Sequence, residues 1–290
     1  MKKPGYGPTR LVCPGREFSL SRPLVMGILN VTPDSFSDGG ALFSASSLNL
    51  DALCRVAETM VVAGASFLDI GGESTRPGAL AVSEQEEMDR VLGAITCVKS
   101  RFDVEISLDS SSPNVMLAGA AAGVGLINDV RALGREGAVE AAAKTDLPIC
   151  LMHMQGKPLT MQQGPKYVDV VSEVTEFLEQ RAAICSAAGI PRERLVFDPG
   201  FGFGKTPEHN FSLLNRLPEV AALGQPVLVG LSRKSMIASV IERDTTQRMP
   251  ASLALAVLAM TGGAHILRVH DVGETMDAVA MMNAFVEAPL

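Results

Sequence analysis

The sequence predicts an α/β chain folded as a single-domain (β/α)8 TIM barrel. Three observations carry that prediction. Eight short, almost wholly apolar runs recur along the chain; each breaks into a loop rich in Gly, Ser, Asn or Asp; and longer amphipathic segments lie between them. Strands that are apolar on both faces need helices on both sides, which means parallel pairing. Eight of them alternating with helices favour closure into a barrel. An open doubly wound sheet is the alternative if the strand count is off by one or two.

The chain has 290 residues, 47% of them hydrophobic, enough for a large core. Residues 1–23 read as an N-terminal tail and extended cover, and residues 24–290 as the barrel. The opening MKKPGYGPTR is basic but runs into Pro and Gly rather than an apolar stretch, so no signal peptide is expected. The predicted strands are residues 25–29, 66–71, 104–109, 126–129, 148–153, 195–199, 226–231 and 265–270. A helix over 83–101 starts with Ser83 and Glu86 at capping-box spacing and carries Met88, Val91, Leu92, Ile95 and Val98 on one face. A helix over 167–188 stops at Gly189. The uncharged run 249–267 has the length of a membrane span. Ser252, Thr261, the Gly262-Gly263 pair and His265 make it instead a buried helix, a turn and the start of a strand.

Net charge is -7 with no basic tract, so neither a nucleic-acid partner nor a membrane is expected. Five scattered cysteines (13, 54, 97, 150 and 185) without a CxxC pair read as reduced, buried thiols of a cytoplasmic protein.

Active sites of such barrels lie at the C-terminal strand ends. Polar groups stand at all eight. In order they include Asn30; Asp69 and Glu73 to Arg76; Asp109; Asn128 and Asp129; His153; Asp198 to Lys205; Ser232 to Ser235; and Arg268 to Asp271. A lone Asp at a strand end is usually a helix cap, but a convergent ring is a pocket. Asp109, Asn128, Asp198 and Lys234 suit a flat, nitrogen-rich heterocycle, because carboxylates accept paired N–H donors. Arg268, His270, Arg76 and Arg233, with Asn30, suit phosphate. The loop after the first strand, residues 30–40, brings two carboxylates, Asp34 and Asp38, and an aromatic, Phe36.

Other motifs read more plainly. GFGFG (200–204) lacks the spacing of a nucleotide loop, and Lys205 is outside a phosphate-loop context, so the stretch reads as a flexible wall bearing Phe201 and Phe203. His265 and His270 point to opposite faces of a strand and make no metal pair. His153 is as well explained by a satisfied core position as by ligand contact, and His209 by the surface. Without Cys or His clusters a soft metal is not expected; a hard cation such as Mg2+, held by Asn30 and substrate phosphates, is.

At these residues the chain resembles the dihydropteroate synthase family. The resemblance spans about residues 25–279 through MGILNVTPDSFSDGG, DIGGESTRPGA, ISLDSS, INDV, CLMHMQG, DPGFGFGK, LVGLSRKSMI and ILRVHD. Ser110 stands where the family usually has Thr, which keeps the hydroxyl. The resemblance implies a transferase that condenses 6-hydroxymethyl-7,8-dihydropterin diphosphate with 4-aminobenzoate, assisted by Mg2+. By position it implies that Asp109, Asn128, Asp198 and Lys234 hold the pterin, with Met152 against its face. Asn30 (on the metal), Arg268 and His270 would hold the diphosphate. Phe36, Thr75, Arg76, Pro77, Phe203, Lys234 and Ser235 would form the aminobenzoate pocket. Asp109, Asp198, Lys234 and Asp38 would carry the catalysis. A homodimer, through late helices such as 251–260, and sulfonamide susceptibility are further implications. Two rivals keep the pterin pocket: a methyltetrahydrofolate:corrinoid methyltransferase barrel and a non-catalytic pterin carrier.

Overall fold

The computed structural model describes residues 8–32, 43–44, 47–74, 82–156 and 160–289. The described residues open with an antiparallel hairpin, β1 (Arg10–Cys13) and β2 (Arg16–Ser19). The first barrel strand is β3 (Leu24–Asn30). A two-residue pairing, β4 (Phe43–Ser44) with β5 (Ser47–Leu48), precedes α1 (Leu50–Val62). Then come β6 (Phe67–Gly71), α2 (Glu84–Arg101), β7 (Glu105–Asp109), α3 (Pro113–Ala121), β8 (Leu126–Asp129), α4 (Ala138–Ala143), β9 (Ile149–Met152) and α5 (Val170–Ala187). The last part holds β10 (Leu195–Asp198), α6 (Pro207–Asn215), α7 (Leu217–Ala221), β11 (Leu228–Val229), α8 (Ser235–Ala238), α9 (Met249–Thr261), β12 (Ile266–Val269) and α10 (Val272–Glu287).

Eight parallel strands form one sheet in the order β10-β9-β8-β7-β6-β3-β12-β11. A parallel bridge between Phe197 and Val227 joins its two edges, and the Phe197 N–H donates to the Pro226 carbonyl at 2.8 Å. The sheet is thus a barrel with helices outside it, as the apolar runs predict. The seventh strand is shorter than the expected 226–231: Pro226 has no N–H to give a ladder, and regular pairing survives only at Leu228 and Val229.

Helix limits follow local chemistry. Ser83 caps α2 by accepting the Glu86 N–H at 3.2 Å. The helix expected from residue 167 starts at Val170 instead, because Asp169 takes the Val171 and Ser172 N–H groups. It ends before Gly189, whose φ of +85° suits glycine. The run 249–267 resolves into α9, a Gly262-Gly263 turn and β12, and among the described residues no helix is long and apolar enough to cross a membrane.

Strand side chains alternate between faces, and here the alternation separates two environments. Outward residues such as Leu68, Ile106, Ile127, Ile149, Phe197 and Leu267 pack with the helices in the main core. Inward residues at the barrel base, Met26, Phe67, Leu126, Cys150, Val196, Leu228 and Ile266, form a second cluster closed from below by Leu11, Cys13 and Leu20 of the hairpin segment. Phe18 of the hairpin stacks on Phe67 at 4.7 Å. Two residues further along, the inward positions of four of these strands turn polar, at Asp69, Asn128, Asp198 and Arg268, and Ser107 of β7 joins them.

One expectation is corrected. Cys54 on α1 and Cys97 on α2, 43 positions apart in sequence, form a disulfide; only Cys13, Cys150 and Cys185 are free, and all three are buried. The pair is invisible to spacing because it is made by the packing of two neighbouring helices.

Candidate active site

The pocket is the polar upper half of the barrel interior. Its centre is Arg268, projecting inward from β12. Arg268 Nε donates to Asp69 Oδ2 at 2.6 Å, and Nη2 donates to Asp109 Oδ2 at 3.0 Å. Asp69 is fully buried and also accepts from Ser107 Oγ at 2.5 Å and from Asn128 Nδ2 at 3.3 Å. A buried carboxylate is tolerable only when so well met. The sharing of one guanidinium between two acids has a consequence for Asp109. Burial, followed by repulsion from Asp69, outweighs the attraction of Arg268 and pushes its pKa up to about 8. Burial works against the charge of Arg268 too, yet the two carboxylates keep it cationic.

Asp198 ends β10. Its Oδ1 accepts the Gly200 N–H at 2.7 Å, and burial raises its pKa although Lys234 opposes the rise. Lys234 comes over from the loop after β11. Its Nζ donates to the Phe201 carbonyl and lies 4.8 Å from the centre of the Phe203 ring, a cation–π contact. Burial lowers its pKa to about 8, with Asp198 resisting. Met152 lies at the end of β9, buried, beside Gly200. A Cβ on Gly200 would sit 3.3 Å from Met152 Cγ and collide with the His153 carbonyl, so that position must be glycine.

Around the rim, His270 Nδ1 and Ser232 Oγ are 3.0 Å apart. Arg233 has a φ of +59°, a rare conformation for a non-glycine residue. It is held there by Asp271, which accepts its guanidinium, by Ser252 Oγ, which accepts its N–H at 2.9 Å, and by Arg248, which donates to its carbonyl. Arg233, expected to offer charge to phosphate, therefore spends it on Asp271. Ser235 is exposed and begins α8 directly after Lys234. Asn30 ends β3, half-buried, and its side chain has no hydrogen-bond partner among the described residues. An unpaired amide oxygen at a strand end fits a single protein ligand to a hard cation that takes its other oxygens from substrate and water. No cluster of three or more His, Cys, Asp or Glu suited to a metal occurs among the described residues.

Of the expected site residues, the structure thus gathers Asp109, Asn128, Met152, Asp198, Phe203, Lys234 and Arg268 in one interior, with Asn30, Ser235 and His270 on its edge. Phe36, Asp38, Thr75, Arg76 and Pro77 lie outside the described residues. Ser107 belongs to the centre but was not among the expected residues, and Asp69, though it stands in the expected ring of polar strand ends, had no role assigned; counting two residues back from Asp109 and Gly71 along their strands puts both on the inward face. Asp129 and His153 prove to be structural. Asp129 faces outward and accepts the Arg131 and Leu133 N–H groups at 2.8 and 2.7 Å. His153 is buried against Phe177 and Lys205, and burial followed by Lys205 drives its pKa down to about 2, so its ring is neutral. His209 closes a capping box with Thr206 at the start of α6.

Residues 26–270 match the family model described as pterin binding enzyme. The dihydropteroate synthase of Escherichia coli K12 is 51% identical over 279 residues, spanning 96% of this chain and 97% of that protein. A Yersinia pestis dihydropteroate synthase solved with a sulfonamide drug superposes with a TM-score of 0.92 at 50% identity, over 96% of this chain and all of the other. A Xanthomonas albilineans dihydropteroate synthase solved with 4-aminobenzoic acid gives a TM-score of 0.89 at 46% identity, over 97% of this chain and 99% of that one. These similarities favour the synthase over the methyltransferase and carrier alternatives. With about half of its residues shared along nearly its whole length, the chain belongs to the pterin-binding enzymes and, among them, to the dihydropteroate synthases.

Proposed function

We propose that this pocket condenses 6-hydroxymethyl-7,8-dihydropterin diphosphate with 4-aminobenzoate by letting diphosphate depart before the amine attacks. The observation that supports the reading most is the inward row of acceptors and cations set above an apolar, closed base. The aminopyrimidine edge of the pterin would descend onto Asp109, Asn128 and Asp198. Asp198 has spent one oxygen on the Gly200 N–H; the other has no protein donor among the described residues and is open to a ring N–H. Met152 would lie against the ring face. Arg268 and His270 would point toward the diphosphate, Arg268 changing partners from Asp109 as the substrate arrives.

The carbon–oxygen bond between the pterin methylene and the diphosphate breaks, and the bonding pair leaves with the oxygen. The methylene cation is delocalised into the electron-rich dihydropterin ring, and Asp38, with Asp109 once it gives up the proton it holds to about pH 8, would be the anions near it. The neutral arylamine then donates its lone pair, the carbon–nitrogen bond forms, and the surplus proton passes to solvent. A strong base is not needed, and neither is a covalent enzyme intermediate. Preorganised charges facing the departing oxygen supply most of the acceleration. Mg2+, when bound by Asn30 and the substrate, would neutralise the diphosphate as it leaves. Phe203, Lys234 and Ser235, with Phe36, Thr75, Arg76 and Pro77, would hold the aminobenzoate.

The catalytic unit in this reading is 24–290, with 1–23 as cover, working in the cytoplasm as a homodimer through α9 and α10, where Leu258, Met281 and Phe285 are 54%, 71% and 64% exposed. Light scattering tests the dimer; a monomeric mass would refute it. The chemistry is tested by a coupled diphosphate assay with aminobenzoate omitted in one arm. Release with both substrates is expected, and slow release without the amine would mark departure ahead of attack. No diphosphate from the complete mixture would overturn the reading.

A further inference from the structure

Lys205 is a buried lysine that the chemistry above does not use. It is 2% exposed and forms no ion pair among the described residues. Its Nζ meets three groups, His153 Nδ1 at 2.9 Å, the Gly200 carbonyl at 2.8 Å and the Phe203 carbonyl at 3.2 Å. Burial pulls its pKa well below the usual lysine range, with only Asp198 opposing. Burying such a group without a carboxylate beside it is expensive, so its position has to serve something that an apolar side chain would not.

What it serves is visible in the loop. Gly200 and Phe203 are the two ends of a turn that carries Phe201, and Lys205 grips both ends from beneath. Lys234 meets the same turn from the pocket side, through the Phe201 carbonyl and the Phe203 ring. The remaining backbone is also fixed: the Gly202 N–H donates to Asn210 Oδ1 at 2.7 Å, and the Gly204 carbonyl accepts from Tyr167 Oη at 2.8 Å. The glycine-rich stretch is therefore a pinned wall, which corrects the expectation of a flexible one.

We propose that Lys205 is a positioning residue: from behind the 200–204 turn it sets the Phe203 ring and the Lys234 ammonium in the places from which they receive the aminobenzoate. This rests on the reading that Phe203 and Lys234 line the aminobenzoate half of the pocket. Lys205 touches neither substrate; it acts through the two carbonyls it holds.

The test compares Lys205→Met with Phe203→Leu in the full chain, measuring KM for each substrate while the other is saturating, with thermal melts alongside. Lys205→Met should raise the aminobenzoate KM by roughly tenfold and the pterin diphosphate KM by less than about threefold, since small displacements of a positioned group are strongly felt. A merely structural loss would lower the melting temperature and the amount of active protein while leaving both KM values alone; that result, next to a raised aminobenzoate KM for Phe203→Leu, overturns the proposal and spares the site reading. An unchanged aminobenzoate KM in Phe203→Leu overturns the site reading, and the proposal with it. If Lys205→Met does not fold, His153→Phe removes one of the three partners and keeps a ring in place. It should give the same selectivity at about threefold, and equal changes in both KM values would refute the idea.

Discussion

Replacing Asp109 with Asn should make the fold more stable at alkaline pH while destroying the enzyme. In the folded chain Asp109 holds its proton to about pH 8, against an ordinary value of 3.8. Below about pH 4 the acid is protonated whether the chain is folded or not, and it contributes nothing. Between about pH 4 and pH 8 the unfolded chain releases a proton that the folded chain keeps, so stability falls as pH rises through that window. Each pH unit is worth about 1.4 kcal/mol. About three such units fall between pH 5 and pH 9, so the wild type should lose about 4 kcal/mol over that range relative to Asp109→Asn. The amide copies the shape of the protonated acid and can still accept from Arg268 Nη2. For a chain of this size about 4 kcal/mol is roughly 8 °C in melting temperature. Calorimetry of both proteins at pH 5 and pH 9 checks it. A difference between the two melting temperatures that stays constant with pH would show that Asp109 is ionised throughout, and the argument from the shared guanidinium would fall.

Asp198→Ala and Lys234→Ala should each lower kcat/KM by two to three orders of magnitude, about 2–4 kcal/mol, in a protein that still melts cooperatively; near-wild-type turnover in either would remove the pterin assignment. Chelation of divalent cations should stop turnover and Mg2+ restore it, with Asn30→Ala needing roughly tenfold more Mg2+ for half-activation; equal activation curves would take Asn30 off the metal. A sulfonamide should inhibit competitively with 4-aminobenzoate, and a full rate at saturating drug would contradict the shared pocket. Phe36→Ala should weaken use of aminobenzoate much more than binding of pterin diphosphate, as read from separate KM and equilibrium titrations.

The barrel was legible because parallel strands covered on both sides must be apolar, and the chain writes eight such runs with polar breaks between them. Asp109, Asn128 and Asp198 were legible as a group for the same reason: each ends a run, and strand ends share one rim of the barrel. Asp69 stands in the predicted ring, but it lies inside its run, and its place at the centre emerges only when the inward face is counted in steps of two. Arg268 was read as a free cation for phosphate; the partners that occupy it, Asp69 and Asp109, are 199 and 159 residues away in sequence. Lys205 was set aside for lacking the right glycine spacing, and nothing local announces that its Nζ lies under the turn. The disulfide and the fork of Arg268 are tertiary, made by elements whose meeting no window of sequence contains, and so is the contact of Lys205 with His153, 52 residues away.

The hairpin beneath the barrel has a consequence for traffic. With Leu11, Cys13 and Leu20 stoppering the base, the interior formed by the described residues is a well with one mouth, at the C-terminal strand ends. Whatever binds at Asp69 and Asn128 must pass the level of Lys234 and Phe203 first, and whatever binds at that upper level bars the way in behind it. A one-mouthed well imposes a queue. On the proposed site assignment the pterin would have to enter before the amine, an amine that arrived early would block the catalyst, and the joined product would wait for the diphosphate to clear the rim. Substrate inhibition by aminobenzoate at low pterin diphosphate is the kinetic trace such a queue leaves.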